Sequence, residues 1–180
     1  AKHVCIRCLS RDSPYWVCAY ANRQHSLDDE LSADPTETSF CKAMNVSEGL
    51  LLILDQQQEF TGPATPFSRV WCAFELWTTL SDTSRSSKML LDVASQQPSG
   101  AVLLTDGLTE WDMKQVPRIH PPSWHKATRE ATFGLELIKQ GLTTELQRAQ
   151  ATQEADRVHI LNCITKRPLE AAPLDEHEDY

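Results

Sequence analysis

The residues best suited to chemistry lie in the run 69–80, RVWCAFELWTTL, where Glu75 is the only charged residue between Arg69 and Asp82. A carboxylate among apolar side chains costs free energy unless a cation pairs with it or a reaction uses it. On a helix, Glu75 neighbours Trp71 and Cys72 on one side and Thr78 and Thr79 on the other. It lies about 100° round from Phe74, at the margin of an apolar stripe made by Phe67, Val70, Trp71, Phe74 and Trp77. A carboxyl group at that margin faces a cleft more readily than bulk water, and partial desolvation raises its pKa into the range useful for catalysis. The structural alternative is an ion pair with Arg69 or a reach to solvent, and the spacing leaves both readings open.

Other groups would stand near such a carboxylate if strand ends converge on it. Asn22, Arg23, Gln24 and His25 form a polar cluster after the aromatic segment YWVCAYA (15–21), and Asp55 closes the apolar run LLLIL (50–54). At these positions ligand contact and ordinary loop hydrogen bonding are equally good readings. Trp16, Trp71 and Trp77 offer faces for stacking on a heteroaromatic ring, although tryptophans in strands and helices more often fill cores. Arg69 and Cys72 flank the same turn.

Metal and nucleophile motifs are weaker. Six cysteines (Cys5, Cys8, Cys18, Cys41, Cys72, Cys163) are spread along the chain, three of them in apolar segments, which suits reduced thiols better than a disulfide framework. Cys5-x-x-Cys8 beside His3 has the spacing of half a zinc site, but no second close pair completes four ligands. His120, His125 and His159 are scattered, and Ser123-x-His125 lacks the glycines of a nucleophile elbow. No metal site is expected. The absence of a Gly-x-Gly-x-x-Gly loop disfavours a dinucleotide-dependent dehydrogenase.

The elements that must position these groups follow from pattern. Strands are expected over 15–21, 50–54, 88–93 and 101–104, with a helix between the first two, capped by Thr38 or Ser39 and ended by Gly49. A second helix carries Glu75. Strands alternating with helices imply an α/β fold with a mainly parallel sheet flanked by helices, whose ligands sit beyond the carboxyl ends of the strands. Residues 4–9 (VCIRCL) are the candidate for a first strand that is otherwise short, missing or rearranged. After Pro117, Pro121 and Pro122 a helix is expected over 128–139, and another over 154–166 docks on the sheet. One domain spans 1–167. The acidic, proline-containing tail 168–180 is expected to move unless a partner holds it.

Composition excludes some partners. With 180 residues, 17 basic against 25 acidic side chains and a net charge of -8, the chain lacks the basic patch of a nucleic-acid binder. No apolar run approaches the roughly 20 residues that cross a bilayer. The dispersed cysteines favour a reducing intracellular compartment, and because the sequence begins at Ala1 rather than Met an organelle stays open if a targeting segment has been removed.

The Trp71-Cys72-x-x-Glu75-Leu76 pattern, one helix after an apolar strand, resembles the corresponding segment of Toll/interleukin-1 receptor (TIR) domains, and YWVCAYANRQ resembles a strand of related heterokaryon-incompatibility modules. The likeness covers roughly residues 15–80 and is similar overall to TIR-like proteins of algae and other protists. It implies a flavodoxin-like α/β fold that works by self-association or by binding protein partners, or as a subunit of a larger complex. It implies also, as the alternative, cleavage of NAD as substrate by Glu75, with no cofactor. Cys18 stands where the family commonly has an acidic residue.

Overall fold

In a computed structural model that describes residues 1–17, 32–54, 65–81, 87–97, 100–115, 119–151 and 153–173, the apolar run 50–54 becomes β1 (Gly49–Leu54). It pairs in parallel with β2 (Leu90–Gln97), Gly49 opposite Leu90 and Leu54 opposite Ser95. A Cβ on Gly49 would stand 2.8 Å from the Leu90 carbonyl oxygen, so the close approach of the two strands requires glycine there. β3 (Gly100–Leu104) then pairs antiparallel with β2, Val93 opposite Leu104.

The described sheet is therefore mixed and three-stranded, in the order β1-β2-β3, rather than mainly parallel. The cause is chain length. Only Pro98 and Ser99 join β2 to β3, whereas a parallel return needs a dozen or more residues. β2 also begins at Leu90, two residues later than its pattern suggests, and runs on to Gln97.

The described residues also form seven α-helices. Residues 4–9 belong to none of its strands. They fall largely within α1 (Lys2–Arg7), which closes on Cys8 in the left-handed region at φ 53°. His3 and Arg7, one helical turn apart, reach a single carboxylate, Asp92. In a strand they would stand about 13 Å apart, too far to share one partner. α2 (Ser39–Val46) has the expected cap, the Thr38 hydroxyl accepting from the Cys41 N–H, but ends before Gly49, which opens β1 instead.

α3 (Val70–Ser81) carries the Glu75 motif as the stripe predicts. Its start is tied to the far end of the chain: the Val70 N–H donates to the Gln150 carbonyl at 2.9 Å, and the Gln150 N–H donates to the Ser68 carbonyl at 2.7 Å. One of the orphan donors at the helix N-terminus is thereby satisfied by backbone rather than by a side-chain cap. Leu76 packs against the sheet core of Leu52, Leu54, Val102, Phe133 and Leu137.

α4 (Glu110–Met113) is held by a reciprocal cap between Thr109 and Asp112. The helix expected over 128–139 is two, α5 (Pro122–Glu130) and α6 (Leu135–Leu142), separated at Gly134 beside the buried Phe133. α5 is fastened by Arg129, which donates to both oxygens of the buried Asp112 at 2.8 and 3.2 Å and to the Leu103 carbonyl.

α7 (Glu154–Ile164) docks on α3, not on the sheet: Ile160 and Leu161 are fully buried with Val70, Phe74 and Ala149. The sheet face is already occupied by Phe133 and Leu137, and the Val70/Phe74 stripe is the apolar surface left to cover. α3 thus lies between the sheet and α7. No helix among the described residues is long and apolar enough to cross a membrane.

The first residues of the acidic tail are held by the chain itself. The buried Asn162 amide donates to the carbonyls of Leu169 and Ala171, both at 2.9 Å, and Arg167 donates to the Asn162 carbonyl oxygen of the side chain at 3.1 Å. Replacing Asn162 by alanine removes all three bonds, and a loss of about 1–3 kcal/mol is expected. Limited trypsin digestion checks it: Asn162→Ala should release the tail after Lys166 well before wild type does, the Arg167–Pro168 bond being resistant to the protease.

Candidate functional site

Helical geometry places Glu75 by its neighbours. At about 100° per residue, its side chain leaves α3 between that of Trp71 and those of Cys72 and Leu76. Trp71 stacks on Phe40 of α2, ring centroids 5.0 Å apart, and Leu76 meets the sheet. Glu75 therefore points into the sector between α2 and the sheet, and it is half-buried there. Among the described residues its carboxylate makes no hydrogen bond or ion pair.

The electrostatic consequence is large. Burial raises the Glu75 pKa from 4.5 to about 7, although the nearby positive charge of Arg69 pulls it the other way. Arg69 is itself exposed and makes its backbone bridge to Gln150. The ion pair considered for the sequence is thus not formed. One turn on, the Thr78 hydroxyl is buried and has no hydrogen-bond partner among the described residues. Among the described residues, then, two polar groups on adjacent turns of one helix have no hydrogen-bond partner for their side chains.

The aromatic side chains form a continuous row. Trp16 meets Phe40 edge-on at 5.3 Å, Phe40 stacks on Trp71, Trp71 meets Phe74 edge-on at 6.2 Å, and Phe74 stacks on Trp77 at 6.0 Å. Trp71 and Trp77 also pack on the α7 core, and the Trp71 indole N–H donates to Asp156. The core reading holds for these two. Trp16, at the open end of the row, keeps an exposed face.

Of the residues singled out in the sequence, Trp16, Arg69, Trp71, Cys72 and Glu75 are gathered around α3. Residues 15–17 are described and form no strand. Cys18, Asn22, Gln24, His25 and Asp55 lie outside the described residues.

A second polar centre was not visible in the sequence. Asp92 is buried on β2 and accepts from the Arg7 Nε at 2.7 Å, from Arg7 Nη2, and from the Asp106 N–H at 2.9 Å. His3 Nε2 lies 2.9 Å from the same carboxylate, and His3 Nδ1 lies 2.6 Å from the Tyr15 hydroxyl. Burial acts to raise the Asp92 pKa, but the Arg7 guanidinium, the Asp106 N–H and His3 together hold it below the usual carboxylate range. Burial and the Asp92 charge push the Tyr15 phenol up. The only signal in the sequence was one aspartate inside an apolar strand, the same kind of signal that marked Glu75.

His3, engaged with Asp92 and Tyr15, is not turned to a metal with Cys5 and Cys8. Among the described residues no group of three or more His, Cys, Asp or Glu side chains is placed to hold an ion. His120 stacks on Trp124 at 4.0 Å.

Comparison with protein-family models, with curated proteins and with solved structures returned no match.

Proposed function

We propose that the chain is a TIR-like α/β module whose Glu75 cleaves the N-glycosidic bond between ribose and nicotinamide in an NAD-type dinucleotide. The observation that carries this reading is the Glu75 carboxyl group, half-buried beside Trp71 and Cys72, without a described cation partner and titrating near pH 7. A carboxylate in that state is available to a substrate in a way that an ion-paired one is not. The likeness of Trp71-Cys72-x-x-Glu75-Leu76 to the TIR motif supports the same assignment.

In this reaction the carbon–nitrogen bond breaks with its electron pair moving to the nicotinamide ring, which loses its positive charge. Ionised Glu75 stabilises the oxocarbenium-like ribose that develops and holds a ribose hydroxyl. Water then adds to the sugar carbon and gives its proton to solvent. Trp16 supplies an exposed ring face for the base, and Thr78 a hydroxyl one turn from the carboxylate.

Incubation with NAD, following free nicotinamide by chromatography, tests the proposal. Wild type is expected to release it and Glu75→Ala to release none above the spontaneous rate. Because the ionised form acts, kcat/KM should rise about tenfold per pH unit below pH 7 and level off above it. Equal release by both proteins, or none by wild type, removes the enzymatic reading.

Assembly is the second reading, and a separate observation favours it. No described strand pairs with the outer edge of β1, and Ile53 on that strand is 65% exposed. An open edge with an apolar residue is a template for pairing with another chain. Sedimentation of wild type against Ile53→Lys decides: association that the lysine abolishes is expected from this reading, and a wild-type monomer at all concentrations contradicts it.

A further inference from the structure

The Cys5-x-x-Cys8 pair, which neither the Glu75 site nor the Asp92 clasp uses, has a geometry of its own. Both thiols are free and exposed, in contrast with the buried Cys41. They lie one turn apart at the end of α1, where the Cys8 N–H donates to the Cys5 carbonyl at 3.2 Å, closing a tight turn. Residues three apart in such a turn have Cα atoms about 5 Å apart, inside the 4.4–6.8 Å range of disulfides. The third ligand a metal would want is missing, because His3 is held between Asp92 and Tyr15.

We propose that Cys5 and Cys8 are a dithiol site for low-molecular-weight disulfides, oxidised by exchange to an intramolecular Cys5–Cys8 bond. One of the two exposed thiols, Cys8, loses its proton to water and attacks one sulfur of the small disulfide. That S–S bond breaks, a mixed disulfide forms on Cys8, and the departing thiolate takes a proton. Cys5 then attacks the Cys8 sulfur, releasing the second small thiol. Two protein thiols and one small disulfide give one protein disulfide and two small thiols, and both electrons come from the protein. The closed loop contains Arg7, the main cation on Asp92, so the bond locks the turn that presents it.

Oxidised glutathione is the probe. The folded chain is equilibrated with graded ratios of oxidised to reduced glutathione, remaining thiols are alkylated, and the protein is digested with trypsin, which cuts after Arg7 between the two cysteines. The expected result is that the peptides carrying Cys5 and Cys8 stay joined until reduced, with no lasting glutathione on either. Cys5→Ser should instead accumulate a stable glutathione adduct on Cys8, a readout that needs no change in fold. Stable adducts on both thiols of wild type, or a bond from either to a different cysteine, overturn the proposal. So does failure of both thiols to react.

Discussion

Asp92→Ala is expected to lower the stability of the chain by about 3–5 kcal/mol, the usual result of breaking a buried ion pair by removing one partner. The Asp92 side chain is 3% exposed and Arg7, its bidentate partner, 11%. Alanine would leave a guanidinium almost fully out of water with only the Asp106 carbonyl to donate to. His3 would lose its carboxylate and α1 its main tie to β2. A denaturant titration of wild type and variant measures the effect, and a loss below 1 kcal/mol would show that α1 is not held through this carboxylate. Acid acts on the same group. Its folded pKa is depressed, so its contribution is present above the unfolded value near 3.8 and is lost as pH falls through the lower folded value. Asp112, held below the carboxylate range by Arg129 and the Thr109 cap against the opposing effect of burial, adds to this loss in the same window.

Glu75→Gln is expected to do the opposite, stabilising the chain while abolishing nicotinamide release. Folded Glu75 keeps its proton up to about pH 7, whereas unfolded it loses it near 4.5. Between those values the native state binds more protons than the unfolded state, so stability falls as pH rises and the full cost is in place above pH 7. A rise of that size corresponds to at most about 3 kcal/mol, reduced by whatever solvent reaches the half-buried group. Glutamine cannot ionise. Its advantage over wild type should be greatest at pH 8, shrink through pH 7 and vanish below pH 4.5. Wild type should then be most stable in mildly acidic solution, with Glu75 setting the alkaline side of the profile and Asp92 and Asp112 the acid side. A Glu75→Gln chain no more stable than wild type at pH 8 would mean that the carboxylate finds compensation. Stability gained by deleting a charge while activity is lost is the trade expected where a fold keeps a strained functional group.

The parts of this fold that were legible in the sequence are those set by local pattern. The run 50–54, the stripe on α3 and the Thr38 cap needed nothing from the rest of the chain. What long-range pairing decides was not legible. The direction of β3 depended on the shortness of the link after Gln97, and α7 packs on α3 rather than on the sheet, whose core is filled by Phe133 and Leu137. Residues 4–9 show the limit of composition: a segment apolar enough for a strand is largely helical because His3 and Arg7 find one carboxylate 85 or more residues away. The same contrast runs through the site. Glu75 stood out as a carboxylate in an apolar run, and Arg69 did not quench it. Asp92 gave the same sequence signal and is instead fully paired. Pairing partners so distant in sequence cannot be read from spacing.

The state of one carboxyl group carries both the stability profile and the proposed chemistry, and it can be observed directly. Carbon-13 labelling of the glutamate side chains, with the Glu75 resonance assigned by its absence from Glu75→Gln, allows its carboxyl carbon to be followed from pH 4 to pH 9. A midpoint near pH 7 is the expected result. A midpoint near 4.5, the value of a solvated glutamate, would contradict the account at its base.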